Sequence, residues 1–357
     1  MIKVKEIFYL IVVVGLAIQT QAQDHFNYIS ARFNQGYVLI HSRELRPIKN
    51  SYPVGLELDF GRHKTSQKVW NNCNCYPKTG VTVTFWDFDN REVLGYGITS
   101  MFYVQPVFGA KNKLSFSVRG AMGLSYQSKP FDEETNPDNL SYSTSIAFPL
   151  QLGVATHYKF APKWEVDLNV VYNHISNGGM KEPNKGINWP TIGLGVSRYF
   201  REPVFPDRVK TDWRKEEQDL ERYDFTIFGT YQQPRSKFFL FLGGVEFKYA
   251  KRVGRLNNLT AGAEWLYDSG QANLSADDQQ INGNNLGMAM GNEFILGKFL
   301  FGQQFAVYLM KPETQAADVY QRYSLVYRIT PGISAGVSLK SHGHVADFAD
   351  IRVGYSF

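Results

Sequence analysis

Strict period-two alternation, held over segments of ten residues and more, is the feature that most constrains this chain. It is clearest in WEVDLNVVYNHISNGGMKEPNKGINWPTIGLGVSRYF, residues 164–200. Trp164, Val166, Leu168, Val170 and Tyr172 fall on one face of an extended segment, and Glu165, Asp167 and Asn169 on the other. Successive side chains of a strand point to opposite sides, so the pattern predicts a strand with one apolar and one polar face. The same count carries His174 and Ser176 onto the apolar face at the strand's end. The loop 177–188 and a return strand complete a hairpin.

The rest of the chain repeats this design. The first half predicts strands near 27–42, 51–62, 79–88, 94–107, 112–127, 141–158, 163–176 and 189–200. The second half predicts them near 223–233, 237–250, 257–268, 285–296, 299–310, 318–329, 332–342 and 345–357. A soluble sandwich also alternates. These strands, however, exceed the roughly 5–6 residues usual in soluble sheets. Trp164, Tyr172, Trp189 and Tyr199 sit near strand ends, as interfacial aromatic girdles do. No run after the first 22 residues approaches the ~20 apolar residues that a membrane helix needs. In lipid every backbone group must be paired, so a sheet there closes on itself. The expected class is all-β, a transmembrane antiparallel barrel.

Residues 1–22 read as a secretory leader: basic Lys3 and Lys5, an apolar Phe8–Ile18 core, and small Thr20 and Ala22 before the cleavage point. Subtracting its net +1 from the chain's +5 leaves about +4, with acidic and basic residues intermixed. That balance gives no argument for nucleic acid, although basic rims suit anionic headgroups. Cys73 and Cys75 could oxidise in an exported protein. A C-x-C bridge closes a tight ring, no further ligands are spaced for a metal, and the pair is expected to be a local loop feature.

Loop lengths orient the strands. With the amino terminus in the periplasm, turns at 111–113 and 161–163 are short, and the loops 128–140 and 177–188 are long and external. The stretch 63–78 is too long for a periplasmic turn and breaks the rule. Residues 201–221 are charged and contain prolines; they read as a periplasmic linker with a short helix from Asp212 to Glu221. The halves 23–200 and 222–357 both end on an aromatic strand, GLGVSRYF and IRVGYSF, and both carry a His-bearing penultimate strand. This reads as a diverged duplication: two eight-stranded barrels, or one barrel of about sixteen strands. In the second copy Ile333, Ala335, Val337 and Leu339 face out, while His342 and His344 share the lumenal face of Ser338 and Lys340. That copy is expected to lack catalytic residues.

The external tip of the 164–200 hairpin carries the chemistry. A serine hydroxyl is a poor nucleophile until a base takes its proton, and imidazole is suited to that task at neutral pH. Such general-base help supplies ~10²–10⁴ in rate. His174 and Ser176 project in parallel from one face, but a girdle histidine followed by a turn-starting serine would read the same. Asn177-Gly178-Gly179 is a turn sequence whose backbone N–H groups can face a developing oxyanion.

The run HISNGGMKEPNKGIN (174–188) resembles the signature of the lipid A 3-O-deacylase (PagL) family, outer-membrane esterases of the acyloxyacyl-hydrolase type. The matching positions are His174, Ser176, Asn177, Gly179, Pro183, Asn184 and Gly186. The likeness spans about residues 25–200, and YPKTGVTVTFWDFDNREVLG is similar to the family's longer, two-repeat branch. The resemblance implies an eight-stranded barrel with a Ser–His–acid triad on its outer surface. It implies hydrolysis of the ester that holds the 3-position hydroxyacyl chain of lipid A in the bacterial outer membrane. Carried over, Ser176 is nucleophile, His174 base, Asn177 and the Gly179 N–H the oxyanion hole, and Asn184 a support for the loop. No metal or cofactor is implied.

One departure matters. Where the family has its acid, this chain has Asn188, which shares the lipid-side face of Ile192 and Leu194. An amide can orient a histidine tautomer, as in Cys–His–Asn proteases, but cannot stabilise an imidazolium by charge. Slower chemistry, replacement by Glu182 in the same loop, or a dead enzyme are the expectations left open. A different class also stays open: a non-catalytic outer-membrane barrel serving as pore or envelope scaffold.

Overall fold

A computed structural model of the protein describes residues 25–210, 212–216, 220–233, 240–272, 282–312, 315–343 and 345–357. The leader read at 1–22 and the lumenal placement of His344 lie outside these residues. The long strands close into two antiparallel eight-stranded barrels rather than one sheet of about sixteen. The first comprises β1 (His25–Gly36), β2 (Val54–Lys64), β3 (Lys78–Asp87), β4 (Tyr96–Gln105), β5 (Leu114–Gln127), β6 (Ile146–Ala161), β7 (Trp164–Ser176) and β8 (Ile187–Tyr199). It closes where β8 returns to β1, from Tyr28↔Tyr199 to Gly36↔Thr191. The second comprises β9 (Glu221–Gln232), β10 (Leu240–Gly254), β11 (Asn257–Asp268), β12 (Asn284–Leu296), β13 (Phe299–Met310), β14 (Val319–Arg328), β15 (Ile333–His342) and β16 (Val345–Ser356). It closes by pairing β9 with β16.

Alternation turns the usual polarity of a fold inside out. Leu56, Phe102, Leu152 and Ile192 point outward and are 61%, 72%, 64% and 63% exposed. The lumen is ionic. Arg119 grips Asp59 with both terminal nitrogens at 2.7 and 2.9 Å, and Arg32 reaches Asp167 at 3.0 Å and Glu57 besides. A cavity of only about 10 Å³ remains beside Arg32, Glu57 and Arg119, hardly room for one water. The second barrel repeats the plan with Arg322–Glu264 at 2.8 Å and Arg352–Glu246 at 2.9 Å. Charges inside and hydrocarbon outside is the arrangement that lipid demands. Small barrels of this kind are filled by side chains rather than open as channels.

The largest boundary differences from the sequence reading lie in β1 and β6. The first strand, expected to reach 42, ends at Gly36. Residues 37–53 leave the wall as a strap with a 3₁₀ turn at Arg43–Ile48, capped by Ser42 Oγ accepting from the Glu44 N–H. The apolar YVLI run mimics a strand, but Val38, Leu45 and Ile48 pack with Trp86, Phe88, Tyr142, Ile175, Ile187 and Trp189, plugging the barrel's external mouth. The strand expected from 141 begins at Ile146, because Tyr142 joins that plug and β6 runs on to Ala161 instead. The cysteine expectation is corrected as well. The helix Gln67–Cys73 ends on Asn74 in the left-handed conformation (φ 50), which folds Cys75 back, and the two cysteines form a disulfide with a Cα–Cα distance of 5.0 Å.

The connector is helical over Trp213–Glu216 among its described residues. Its Phe205 packs on His63 and Tyr76, with centroids 4.6 and 5.3 Å apart, at the end opposite the 177–188 loop. In the second barrel Ile333 and Val337 face out, and His342 bonds Tyr308 Oη and Gln315 Nε2 at 3.1 and 2.8 Å.

Candidate active site

Register sets which wall the site occupies. His174 stands across from Asn188 on β8 and from Leu150 on β6; Ser176 stands across from Phe148. Phe148, Leu150 and Tyr172 are exposed on the outer surface. His174, Ser176 and Asn188 therefore line the outward face at the external ends of their strands, while Ile175 between them turns inward and is fully buried. Ser176 is only 7% exposed despite its outward register, because the following loop folds back: a Cβ on Gly178 would stand 3.4 Å from the Phe148 ring.

A chain of hydrogen bonds ends on His174. Lys185 O lies 2.9 Å from His41 Nε2, His41 Nδ1 lies 3.1 Å from Asn188 Nδ2, and Asn188 Oδ1 lies 2.7 Å from His174 Nδ1. A carbonyl only accepts, so His41 carries its proton on Nε2 and offers the Nδ1 lone pair. The Asn188 amide donates to that lone pair, which turns its oxygen toward His174. His174 Nδ1 must then carry a proton, and Nε2 is left as the bare nitrogen a general base requires. Gly186, with φ 72, gives the ring its room, since a Cβ there would stand 2.8 Å from His174 Cε1.

The other residues singled out in the sequence hold the loop. The Asn177 N–H donates to Asn184 Oδ1 at 2.8 Å. The Asn177 side chain donates to Lys181 O (2.6 Å) and Ser143 Oγ (3.1 Å) and accepts the Gly179 N–H at 3.1 Å. That Gly179 donor is thus engaged within the loop, whereas the Gly178 N–H meets no acceptor among the described residues. Glu182 is exposed, and the hydrogen bond of His174 goes to Asn188, not to Glu182. Ser176 Oγ makes no hydrogen bond among the described residues, to His174 included. Same-face neighbours on a strand are ~7 Å apart at Cα, and catalytic contacts in ligand-free sites commonly tighten only when substrate engages.

The neighbouring loop 128–145 braces this one from the side. Leu140 O and Ser141 O accept the N–H groups of Lys185 and Gly186 at 3.0 and 2.8 Å, and Ser143 Oγ donates to Lys181 O. Asp132 shapes its turn: the N–H and hydroxyl of Thr135 and the N–H of Glu134 hold its carboxyl below the usual carboxylate range.

His41 is the participant that the sequence reading missed. It lies 147 positions from Asn188 and on a segment that reads as strand. What delivers it is the strap, whose Leu39 N–H donates to Asn188 O at 2.8 Å, and no local pattern announces a contact across that separation.

Residues 52–197 match the family described as Lipid A 3-O-deacylase (PagL), and residues 221–357 match the one described as Acyloxyacyl hydrolase, C-terminal domain. No curated protein matches the chain. Among solved structures, neisserial surface protein A is 11% identical, covering 51% of this chain and all of its own, with a TM-score of 0.35. A triple mutant of the Rhodopseudomonas blastica porin is 12% identical over 93% of this chain and 99% of its own, with a TM-score of 0.19. Omp33 of Acinetobacter baumannii is 10% identical over 94% and 98%, with a TM-score of 0.17. At such scores these likenesses add nothing to the fold that the strand pairing already gives.

Proposed function

The chain belongs to the PagL and acyloxyacyl hydrolase family of outer-membrane barrels, and from that membership we propose that it is a serine esterase that hydrolyses the 3-O-linked hydroxyacyl ester of lipid A in the outer leaflet. The observation that carries this reading is the relay from His41 through Asn188 to His174, which leaves a basic nitrogen two residues from Ser176 on the same outward face.

The chemistry follows from the placement. Ser176 Oγ attacks the ester carbonyl and passes its proton to His174 Nε2. The Gly178 N–H donates to the oxyanion that forms, and the Gly179 N–H joins it when the Asn177 side chain lets go. Collapse returns the proton from His174 to the departing sugar oxygen. Water entering from the headgroup side then attacks the acyl-serine, again with His174 as base, and the hydroxy fatty acid leaves. Asn188 orients His174 with a dipole instead of a charge, so turnover is slower than a carboxylate would allow. Residues 201–221 join this barrel to a second one that supports the reaction without a nucleophile of its own.

Lipid A extracted from cells that make the wild-type protein should lose the mass of one hydroxyacyl chain, and cells that make Ser176→Ala should retain it. Undiminished loss with Ser176→Ala would refute the assignment.

A further inference from the structure

The nucleophile loop of the first barrel does not end in solvent. It is stitched to the rim of the second. The Ala349 N–H, in β16, donates to Gly178 O at 2.9 Å. The Gln233 N–H, just past β9, donates to Met180 O at 2.8 Å, and Lys181 and Gln233 form a parallel bridge. Gln232 Nε2 sits between the two, donating to Gly179 O at 2.9 Å and to Asp347 O at 2.8 Å. Three consecutive carbonyls, at 178, 179 and 180, are thus held by donors from another barrel.

The fit is close as well as bonded. Gly178 and Gly179 have φ of 68 and 76, a conformation that side chains disfavour. A Cβ on Gly178 would meet Ala349 Cβ at 3.1 Å, and one on Gly179 would meet Asp347 O at 2.6 Å. The tip of the loop is bare backbone laid against the backbone at Asp347 and the side chains of Ala349 and Gln232. A peptide whose carbonyl is fixed has its plane fixed, and with it the direction of its N–H. The N–H that shares a plane with carbonyl 178 is that of Gly179, and the one that shares a plane with carbonyl 179 is that of Met180, so holding the two carbonyls fixes both peptides on either side of Gly179.

We infer that the second barrel is a positioning clamp on the nucleophile loop, with Gln232 as its central positioning residue. This inference rests on the esterase reading above and deepens it: the repeat without a nucleophile supplies the rigid frame that a lone barrel's loop would lack. Preorganised donors aimed at developing charge are a large part of what such sites contribute, and sub-ångström placement decides their worth. The clamp lies on the loop's carbonyls and not on the substrate face, so it acts on turnover and leaves lipid binding alone.

The test uses the full-length protein in bilayers containing lipid A, with Gln232→Leu and, as a second variant, Ala349→Leu, whose added carbons push against Gly178. Four quantities are measured: kcat and KM for acyl release, amide hydrogen exchange of the 177–181 segment, and the thermal transition of the barrels. For Gln232→Leu the expected result is a fall in kcat of about three- to tenfold, the worth of one or two hydrogen bonds. KM and the thermal transition should stay unchanged and exchange at 177–181 should speed up. Ala349→Leu should likewise lower kcat and speed exchange at 177–181, with KM and the thermal transition unchanged. Unchanged exchange in both variants, or faster exchange with kcat intact, overturns the clamp. Wild-type protein that releases no acyl chain refutes the esterase reading instead, and the exchange arm then decides alone whether the second barrel holds this loop.

Discussion

Restoring a carboxylate at position 188 is the sharpest probe of the relay. Asn188 Oδ1 accepts from His174 Nδ1 at 2.7 Å, and aspartate would place the same oxygen at the same point with a charge behind it. A neutral hydrogen bond contributes about 0.5–1.5 kcal/mol and one to a charged group about 1.5–3 kcal/mol. The difference, about 1–1.5 kcal/mol, is gained when the imidazole becomes imidazolium, that is, at the transition state. At 1.36 kcal/mol per tenfold, Asn188→Asp should raise kcat by about 5–15-fold. A loss opposes it: the carboxylate cannot donate to His41 Nδ1, which now receives the Asn188 amide at 3.1 Å. His41 is exposed, so water can replace that bond at small cost. The net expectation is a gain of at least about threefold. The assay is release of hydroxy fatty acid from lipid A in mixed bilayers at saturating substrate, with Asn188→Ala run beside it. Alanine removes tautomer control altogether and should lower kcat by about 10–100-fold, one to three kcal/mol of lost positioning. A folded Asn188→Asp enzyme no faster than wild type would refute the view that the amide limits the reaction.

Other outcomes follow from single contacts. Gly186→Ala places a Cβ against His174 Cε1 and should lower kcat at least about tenfold, with the acyl-release assay as its measure. Arg119→Ala leaves Arg32 as the guanidinium shared by Glu57, Asp59 and Asp167 and should destabilise that barrel by about 3 kcal/mol, read as an earlier loss of the compact band on heating in detergent gels.

Alternation made the barrels legible because it is written locally: each residue's neighbours two away decide its face. It located β7 and β8 and put His174, Ser176 and Asn188 on one wall before any contact was known. It could not separate two barrels from one, because closure depends on which distant strand edges meet, as β8 meets β1 and β16 meets β9. It failed at 37–42, where YVLI is β-prone but feeds a plug formed by residues far along the chain. It missed the Cys73–Cys75 bridge because the left-handed turn at Asn74 is a matter of backbone angle. His41 and Gln232 were illegible for a common reason: both act through partners more than fifty positions away.

A site on the outer wall, with lumens blocked by ion pairs, also fixes the dimensionality of the reaction. On the esterase reading substrate would arrive by sliding within a sheet of lipid, so velocity should track the mole fraction of lipid A in the leaflet and not its amount per volume of sample. Diluting the membrane with inert lipid should slow acyl release, whereas adding buffer should not. A small water-soluble ester, however abundant, should be a poor competitor until it partitions into the bilayer.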